Sequence, residues 1–215
     1  MTPHGSFPAT RTAKMHSRSL FRSGLMALSA GLALALSGCI SFGGGKGPDS
    51  LFTLTAETSV PAGSTASGTA AEALVVLDPE TDRRLAVQRV AVAVDPSNVA
   101  YLKKAMWVER PTRLFRSLLA ETIRAKGGRL VFEDNEGTAS GRLRLAGRLL
   151  DLGYDGPTRT VVVRYDAVLE KPGGEVSTKR FEARINGVDP ESREAAPALN
   201  RAANDVARQV ADWIG

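Results

Sequence analysis

Few residues in this 215-residue chain could do covalent or metal chemistry. The only cysteine, Cys39, follows Ser37-Gly38 at the end of Leu25–Leu36, an apolar run of 12 residues. Both histidines, His4 and His16, lie before that run. A Ser-His-Asp or Cys-His arrangement is therefore excluded downstream of Cys39, and zinc, held mostly by Cys and His, has no ligand set there. Asp, Glu, Lys, Ser and Tyr remain, and no Ser-x-x-Lys spacing stands out among them. No catalytic residue, metal ligand or cofactor site is expected. The residues suited to recognition are Tyr101, Trp107 and three arginines of one parity, Arg142, Arg144 and Arg148, because aromatic and Arg side chains anchor many interfaces. A solvated face is the simpler reading of the three arginines, and a core anchor the simpler reading of Trp107.

Leu25–Leu36 is shorter than the roughly 20 residues a helix needs to cross a bilayer, and it reads as the apolar region of an export signal. The segment before it carries Arg11, Lys14, Arg18 and Arg22 and no acidic residue; Met15 offers a second start within it. The sequence Leu36-Ser37-Gly38-Cys39 resembles the lipobox of bacterial lipoproteins. That resemblance implies cleavage between Gly38 and Cys39, a diacylglyceryl group on the Cys39 thiol and a further acyl chain, such as palmitate, on its freed amine. A buried free cysteine behind a core helix is the alternative, and the basic leader, the short apolar run and the unique cysteine together argue against it. Two or more acyl chains hold a protein on a membrane almost permanently, at about 0.8 kcal/mol per buried methylene.

Cleavage there divides the chain into a signal peptide (1–38), a tether (39–48) and one domain (49–215). Four of the 28 basic residues belong to the leader, leaving 24 against 23 acidic ones in residues 39–215. The net charge of +5 is thus largely the leader's, and nucleic-acid binding loses its main support. Ser41-Phe42-Gly43-Gly44-Gly45-Lys46-Gly47-Pro48 reads as a flexible spacer.

The elements that must position the recognition residues follow. Leu51–Thr55 reads as a short strand, and the Ser, Thr, Ala and Gly of Ser59–Ala71 as a mobile loop. Leu74–Leu77 and Gln88–Val94 are Val-rich strands flanking a charged turn, Asp78–Arg84. Val99–Trp107 reads as an extended edge element. Pro111 opens a helix whose stripe is Leu114, Phe115, Leu118, Leu119 and Ile123; Arg113, Arg116, Arg124 and Lys126 take the other face, and Gly127-Gly128 stops it. Arg129–Glu133 is a short strand.

Gly141–Tyr154 is a long strand in which Leu143, Leu145 and Leu149 share one parity, whereas Leu150, Leu152 and Tyr154 share the other. That switch predicts a bulge near Leu149-Leu150. Thr160–Glu170 and Val176–Ile185 form a hairpin around Lys171-Pro172-Gly173-Gly174-Glu175. Ala195–Ile214 is a helix with stripe Leu199, Ala203, Val206, Val210 and Trp213, and Pro197 suits its first turn. The order predicts a single α+β domain, a mostly antiparallel or mixed sheet with two main helices on one face.

The order of these pieces is similar to that of the ABC-type transport auxiliary lipoproteins (PqiC/YmbA-like). The matching residues are the lipobox and short tether, Leu51-Phe52-Thr53-Leu54, Trp107-Val108-Glu109-Arg110-Pro111 leading into the Leu114–Ile123 helix, Leu143-Arg144-Leu145, the Thr160–Ile185 hairpin and the Ala-rich helix ending in Trp213-Ile214. The Ser59–Ala71 stretch and Lys103-Lys104 depart from the pattern. The resemblance implies a non-catalytic accessory that docks on an MCE-domain protein with its ABC permease and ATPase, in systems moving phospholipids or other hydrophobic molecules between inner and outer membranes. No Gly-x-x-x-x-Gly-Lys-Ser/Thr loop is present, so the chain is not itself the ATPase. Ile40 stands where the retention signal would be Asp, which implies an outer-membrane anchor facing the periplasm. A homo-oligomeric ring would suit a channel cap, although no heptad or symmetric interface is readable. The rival readings are a general envelope-assembly lipoprotein, acting as a chaperone for secretion or outer-membrane assembly, and a tethered hydrolase.

Overall fold

The computed structural model describes residues 50–69, 71–134 and 142–215, so the expectations for the leader, for Gly38 and Cys39, and for the tether fall outside it. In chain order the elements are β1 (Leu74–Leu77), β2 (Glu80–Thr81), β3 (Arg89–Ala93), β4 (Val99–Met106), α1 (Pro111–Lys126), β5 (Val131–Asp134), β6 (Leu143–Asp155), β7 (Thr160–Glu170), β8 (Val176–Asn186) and α2 (Ser192–Ile214). They form an α+β domain built on one mixed eight-stranded sheet.

The 13-residue β6 is its spine. One edge of β6 pairs antiparallel with β7, which pairs antiparallel with β8. The other edge is shared by three short strands in succession, β1, β2 and β3, all parallel to it. Outside these lie β5, parallel to β1, and β4, antiparallel to β3.

Both helices pack on one face of the sheet. Phe115 of α1 meets the Tyr165 ring edge-on at 5.2 Å between centroids, and Trp213 of α2 lies 5.6 Å from Phe181. Leu145, Leu149, Leu152, Val161, Val163 and Tyr165 face this layer with no measurable exposure. Leu149 pairs with Tyr165 and Asp151 with Arg164, so Leu150 is the extra residue of a bulge. The bulge turns Leu149 and Leu152 to the same side, which the alternation of a regular strand would forbid.

Four details differ from the sequence reading or go beyond it. Leu51–Thr55 is not a strand: only Phe52 makes a β-bridge, to Trp107, and the chain beyond it crosses the helices as an extended strap. Asp78–Arg84 contains the two-residue β2. Pro197 lies inside α2 rather than in its first turn, because the helix already begins at Ser192; its missing N–H leaves only the carbonyl of solvent-facing Arg193 without a helical donor. Arg116, read only as lying off the apolar stripe, is nearly covered: its side chain is 12% exposed and pairs with Asp78 at 2.9 Å and Glu133 at 3.3 Å.

The Lys103-Lys104 departure has a structural counterpart. Arg89 faces Met106 and Ala91 faces Tyr101, so four residues of β4 oppose one of β3. Leu102 and Ala105 tuck inward, whereas Lys103 and Lys104 form an exposed tip with Lys104 at a φ of 55°. Such a lysine-tipped irregularity discourages another strand from adding to this edge.

Candidate functional site

The helix-free face of β6, β7 and β8 carries side chains at the alternate positions, and there the apolar pattern gives way to interleaved arginines and carboxylates. Arg144 pairs with Glu170 at 3.1 Å, and Arg180 grips Asp166 through two bonds of 2.6 and 2.7 Å. Arg164 bridges Asp151 at 3.0 Å and Glu182 at 2.5 Å, and Arg184 also reaches Glu182. Arg84, between β2 and β3, binds Asp82 at 3.0 Å and Asp151 at 2.8 Å and donates to the Leu150 carbonyl. The bulge, which removes one residue from the ladder, thus has its carbonyl satisfied by a guanidinium.

For Asp166 and Glu182 on this face, the pairing favours the ionised form. Hydrogen bonds from Arg180 hold Asp166 below the usual carboxylate range, with Arg164 and Arg148 adding to the effect. Bonds from Arg184 and Arg164 lower Glu182 against a smaller opposing effect of burial. On the helix side, burial opposes ionisation of Glu133, but bonds from Ser117 and Arg124 outweigh it. A carboxyl held down in this way is a poor proton donor near neutral pH. A recess of about 150 Å³ lies beside the bulge, lined by Arg84, Asp151, Tyr154, Arg164 and Arg184 among others. The face can recognise a patterned polar surface through bidentate and bridging arginines.

The recognition residues named from sequence do not converge on one spot. Arg144 and Arg148 share the helix-free face of β6. Arg144 is committed to Glu170, whereas Arg148 is exposed, sits opposite Asp166 in the β6–β7 register and makes no ion pair within 4.0 Å among the described residues. Arg142 precedes β6 and leans to the β5 edge, its guanidinium 5.8 Å from the ring of half-exposed Phe132. Tyr101 lies on β4 beneath Arg89, at 4.3 Å. Trp107 is 1% exposed and meets Phe52 edge-on at 5.7 Å, so it acts as a core anchor at the seam where the N-terminal strap joins the domain.

The strap itself was missed. Asn200 Oδ1 accepts from Thr55 N–H at 2.8 Å, Asn204 Oδ1 accepts from Glu57 N–H at 2.8 Å, and Asn204 Nδ2 donates to the Thr55 carbonyl at 2.9 Å. Glu121 of α1 accepts from Val60 N–H at 2.8 Å. Side-chain amides of α2 therefore stand in for a neighbouring strand. The one available signal was Asn204, a polar residue within an otherwise apolar and Ala-rich helix stripe.

Among the described residues no group of three or more His, Cys, Asp or Glu could hold a metal ion, and no helix is long and apolar enough to cross a membrane.

Among solved structures, protein XCC0632 from Xanthomonas campestris, of family DUF330, superposes with a TM-score of 0.60 at 16% identity, covering 77% of this chain and 93% of its own. The crystal structure of an uncharacterized protein gives a TM-score of 0.57 at 14% identity, covering 67% and 93%. The PelC dodecamer from Paraburkholderia phytofirmans aligns at 0.41 and 15% identity over 68% and 91%, too slight a likeness to reason from. At these identities the first two support the fold alone. No curated protein matches the chain. The profile described as ABC-type transport auxiliary lipoprotein component matches residues 52–211, most of the domain and well over half of the chain, and the protein belongs to that family.

Proposed function

We propose that the protein is a lipid-anchored, non-catalytic accessory subunit of an MCE-domain/ABC transport system that moves phospholipid or other hydrophobic molecules between the inner and outer membranes. Cleavage between Gly38 and Cys39 frees the domain, acylation of Cys39 anchors it in the outer membrane facing the periplasm, and the tether gives it reach. The MCE-domain protein, with its permease and ATPase, is the partner, and the arginine-and-carboxylate face of β6, β7 and β8 is the surface that meets it.

The observation that carries this reading is the family match over residues 52–211 in a chain whose only cysteine ends Leu36-Ser37-Gly38-Cys39. The interleaved charges suit a protein partner better than an anionic lipid head, because Arg144, Arg164, Arg180 and Arg184 are already ion-paired with carboxylates and Arg148 lies opposite Asp166.

A crosslinked pull-down of the acylated protein from native membranes, with Cys39→Ala as control, tests it. Recovery of an MCE-domain protein and its permease, weakened in the control, is the expected result. Recovery of a secretin or an outer-membrane barrel instead would overturn it in favour of an envelope-assembly lipoprotein.

A further inference from the structure

The strap fixes where the tether leaves the domain. Phe52 N–H donates to the Met106 carbonyl at 2.7 Å, and Val108 N–H donates to the Phe52 carbonyl at 2.8 Å. On the other side of the same segment Trp107 N–H donates to the Gln88 carbonyl at 2.8 Å, which continues the β3–β4 register and sets Val87 opposite Val108. Phe52 and Trp107 point inward, so their neighbours Leu51 and Val108 point outward. The parallel bridge sets Leu51 beside Met106 and exposed Thr53 beside Val108, so this corner presents Leu51, Val108 and Val87, 51%, 49% and 37% exposed, with the Thr53 hydroxyl among them. Exposed Arg89 and Arg110 flank it, and the intervening carboxylate, Glu109, is bonded by Arg113 at 2.7 Å.

We propose that this corner of Leu51, Val87 and Val108 is a lipid-contact surface, resting on the bilayer that holds the acyl chains of Cys39. The inference rests on the anchoring reading above and adds an orientation to it. The 12 chain steps from Cys39 to Leu51 reach about 40 Å at full extension and about 20 Å as a relaxed Gly-rich coil. The chain enters the described domain at this corner, so a relaxed spacer keeps it within about 20 Å of the anchor point. Aliphatic side chains with arginines at their rim are the chemistry that settles into the headgroup boundary. The other exposed large apolar side chains among the described residues, Phe132 on β5, Val176 at the β7–β8 turn, and Val94 and Val99 at the β3–β4 turn, are separate from this junction. With the corner down, the chain runs from Leu51 into the strap that crosses α1 and α2, and the charged face of β6–β8 is left for a protein.

The test places a nitroxide at Val108→Cys or, as reference, at Val176→Cys in the full acylated protein reconstituted in vesicles of phosphatidylethanolamine and phosphatidylglycerol. Acylation blocks the Cys39 thiol, so only the introduced cysteine takes the label. The expected result is a ratio of oxygen to water-soluble nickel-chelate collision rates at least fivefold higher at 108 than at 176, lost when Leu51→Asp and Val87→Asp are added. Equal ratios at the two positions overturn the proposal, as does a fall in both collision rates at 108, which marks coverage by a second copy. Failure of the anchoring reading is seen separately: the unmutated protein would take one label at Cys39, and its mass spectrum would lack the acyl increment.

Discussion

Adjacent residues on β6 live in different environments. Leu145, Leu149 and Leu152 are sealed under the helices, while Arg144, Arg148 and Asp151 stand among charges on the opposite face. The covered face holds the domain together, because full burial of a side chain such as Leu contributes about 1.5–3 kcal/mol. The open face adds less to stability, since solvent still reaches its ion pairs, whose side chains are 21–62% exposed, and screened pairs are each worth about 0–1 kcal/mol. Its residues are therefore free to be chosen for pattern, and what it presents can change without unfolding the protein. The difference rests on the Leu150 bulge, which keeps the two chemistries on their own sides along a 13-residue strand.

The largest effect comes from pushing the covered face apart. Gly147 has a φ of 150°, and a Cβ built there would lie 2.1 Å from the Asp166 backbone carbonyl oxygen and 2.7 Å from the Tyr165 hydroxyl. The Tyr165 ring crosses the glycine so that its hydroxyl can donate to the Ala146 carbonyl at 2.7 Å. Gly147→Ala must separate β6 from β7, and a cost of about 4 kcal/mol or more is expected. Urea unfolding followed by circular dichroism should show a midpoint lowered by roughly 1–4 M; a curve like the parent's would mean that the strands yield at no cost.

Next comes a pair of neighbours on β6 itself. Leu149→Ala, at a position with no exposure, should lower stability by about 3 kcal/mol. Arg148→Ala, one residue away on the open face, should change it by less than about 0.5 kcal/mol. Comparable losses in the two variants would mean that the open face is packed by something in solution, such as a second copy.

Much of this contrast was legible in the sequence. The parity switch between Leu149 and Leu150 gave away the bulge because one buried face constrains every alternate residue. The β7–β8 hairpin was equally readable, since both its strands alternate cleanly around a Gly-rich turn. The arginines of β6 could be placed on a face, but not paired: Asp166 and Glu170 become their neighbours only through the β6–β7 register, and Asp82 reaches the lattice through Arg84 and Asp151. The strap failed for a similar reason. Leu51–Thr55 has a strand's composition, but Thr55 is bonded by Asn200, 145 residues away, and no local pattern announces a helix side chain as the partner of a backbone. Trp107 could be read as an anchor, yet what it anchors, Phe52 and the strap, became visible only in three dimensions.

Asn204 allows that missed region to be tested. It is 4% exposed, and its amide meets the Thr55 carbonyl, the Glu57 N–H and the Asn200 carbonyl. Asn204→Ala should cost about 2 kcal/mol, between the effects of a core leucine and a surface arginine. Hydrogen exchange gives the sharper readout: the Glu57 amide should exchange faster, while the Thr55 amide, still held by Asn200, should change less. Equal acceleration at both amides would mean that the strap leaves the helices as a unit and that Asn204 is its main clasp.

The smallest effect concerns pH and the open face alone. The bidentate bond from Arg180 is the main cause of the lowered Asp166 pKa. A group whose folded pKa is depressed contributes stability above its unfolded value, about 3.9 for Asp, and loses that contribution as pH falls through the folded value. Arg180→Ala should therefore raise the Asp166 midpoint in a carbon-13 carboxyl titration and reduce the acid sensitivity of folding below about pH 4. At neutral pH the change in unfolding midpoint should be slight, because Arg180 is largely solvated and water screens the pair. An unchanged Asp166 midpoint would assign the shift to Arg148 and Arg164 instead. Arg148 would then be an internal counter-ion of the lattice, and the face would lose the one β6 arginine that makes no ion pair among the described residues.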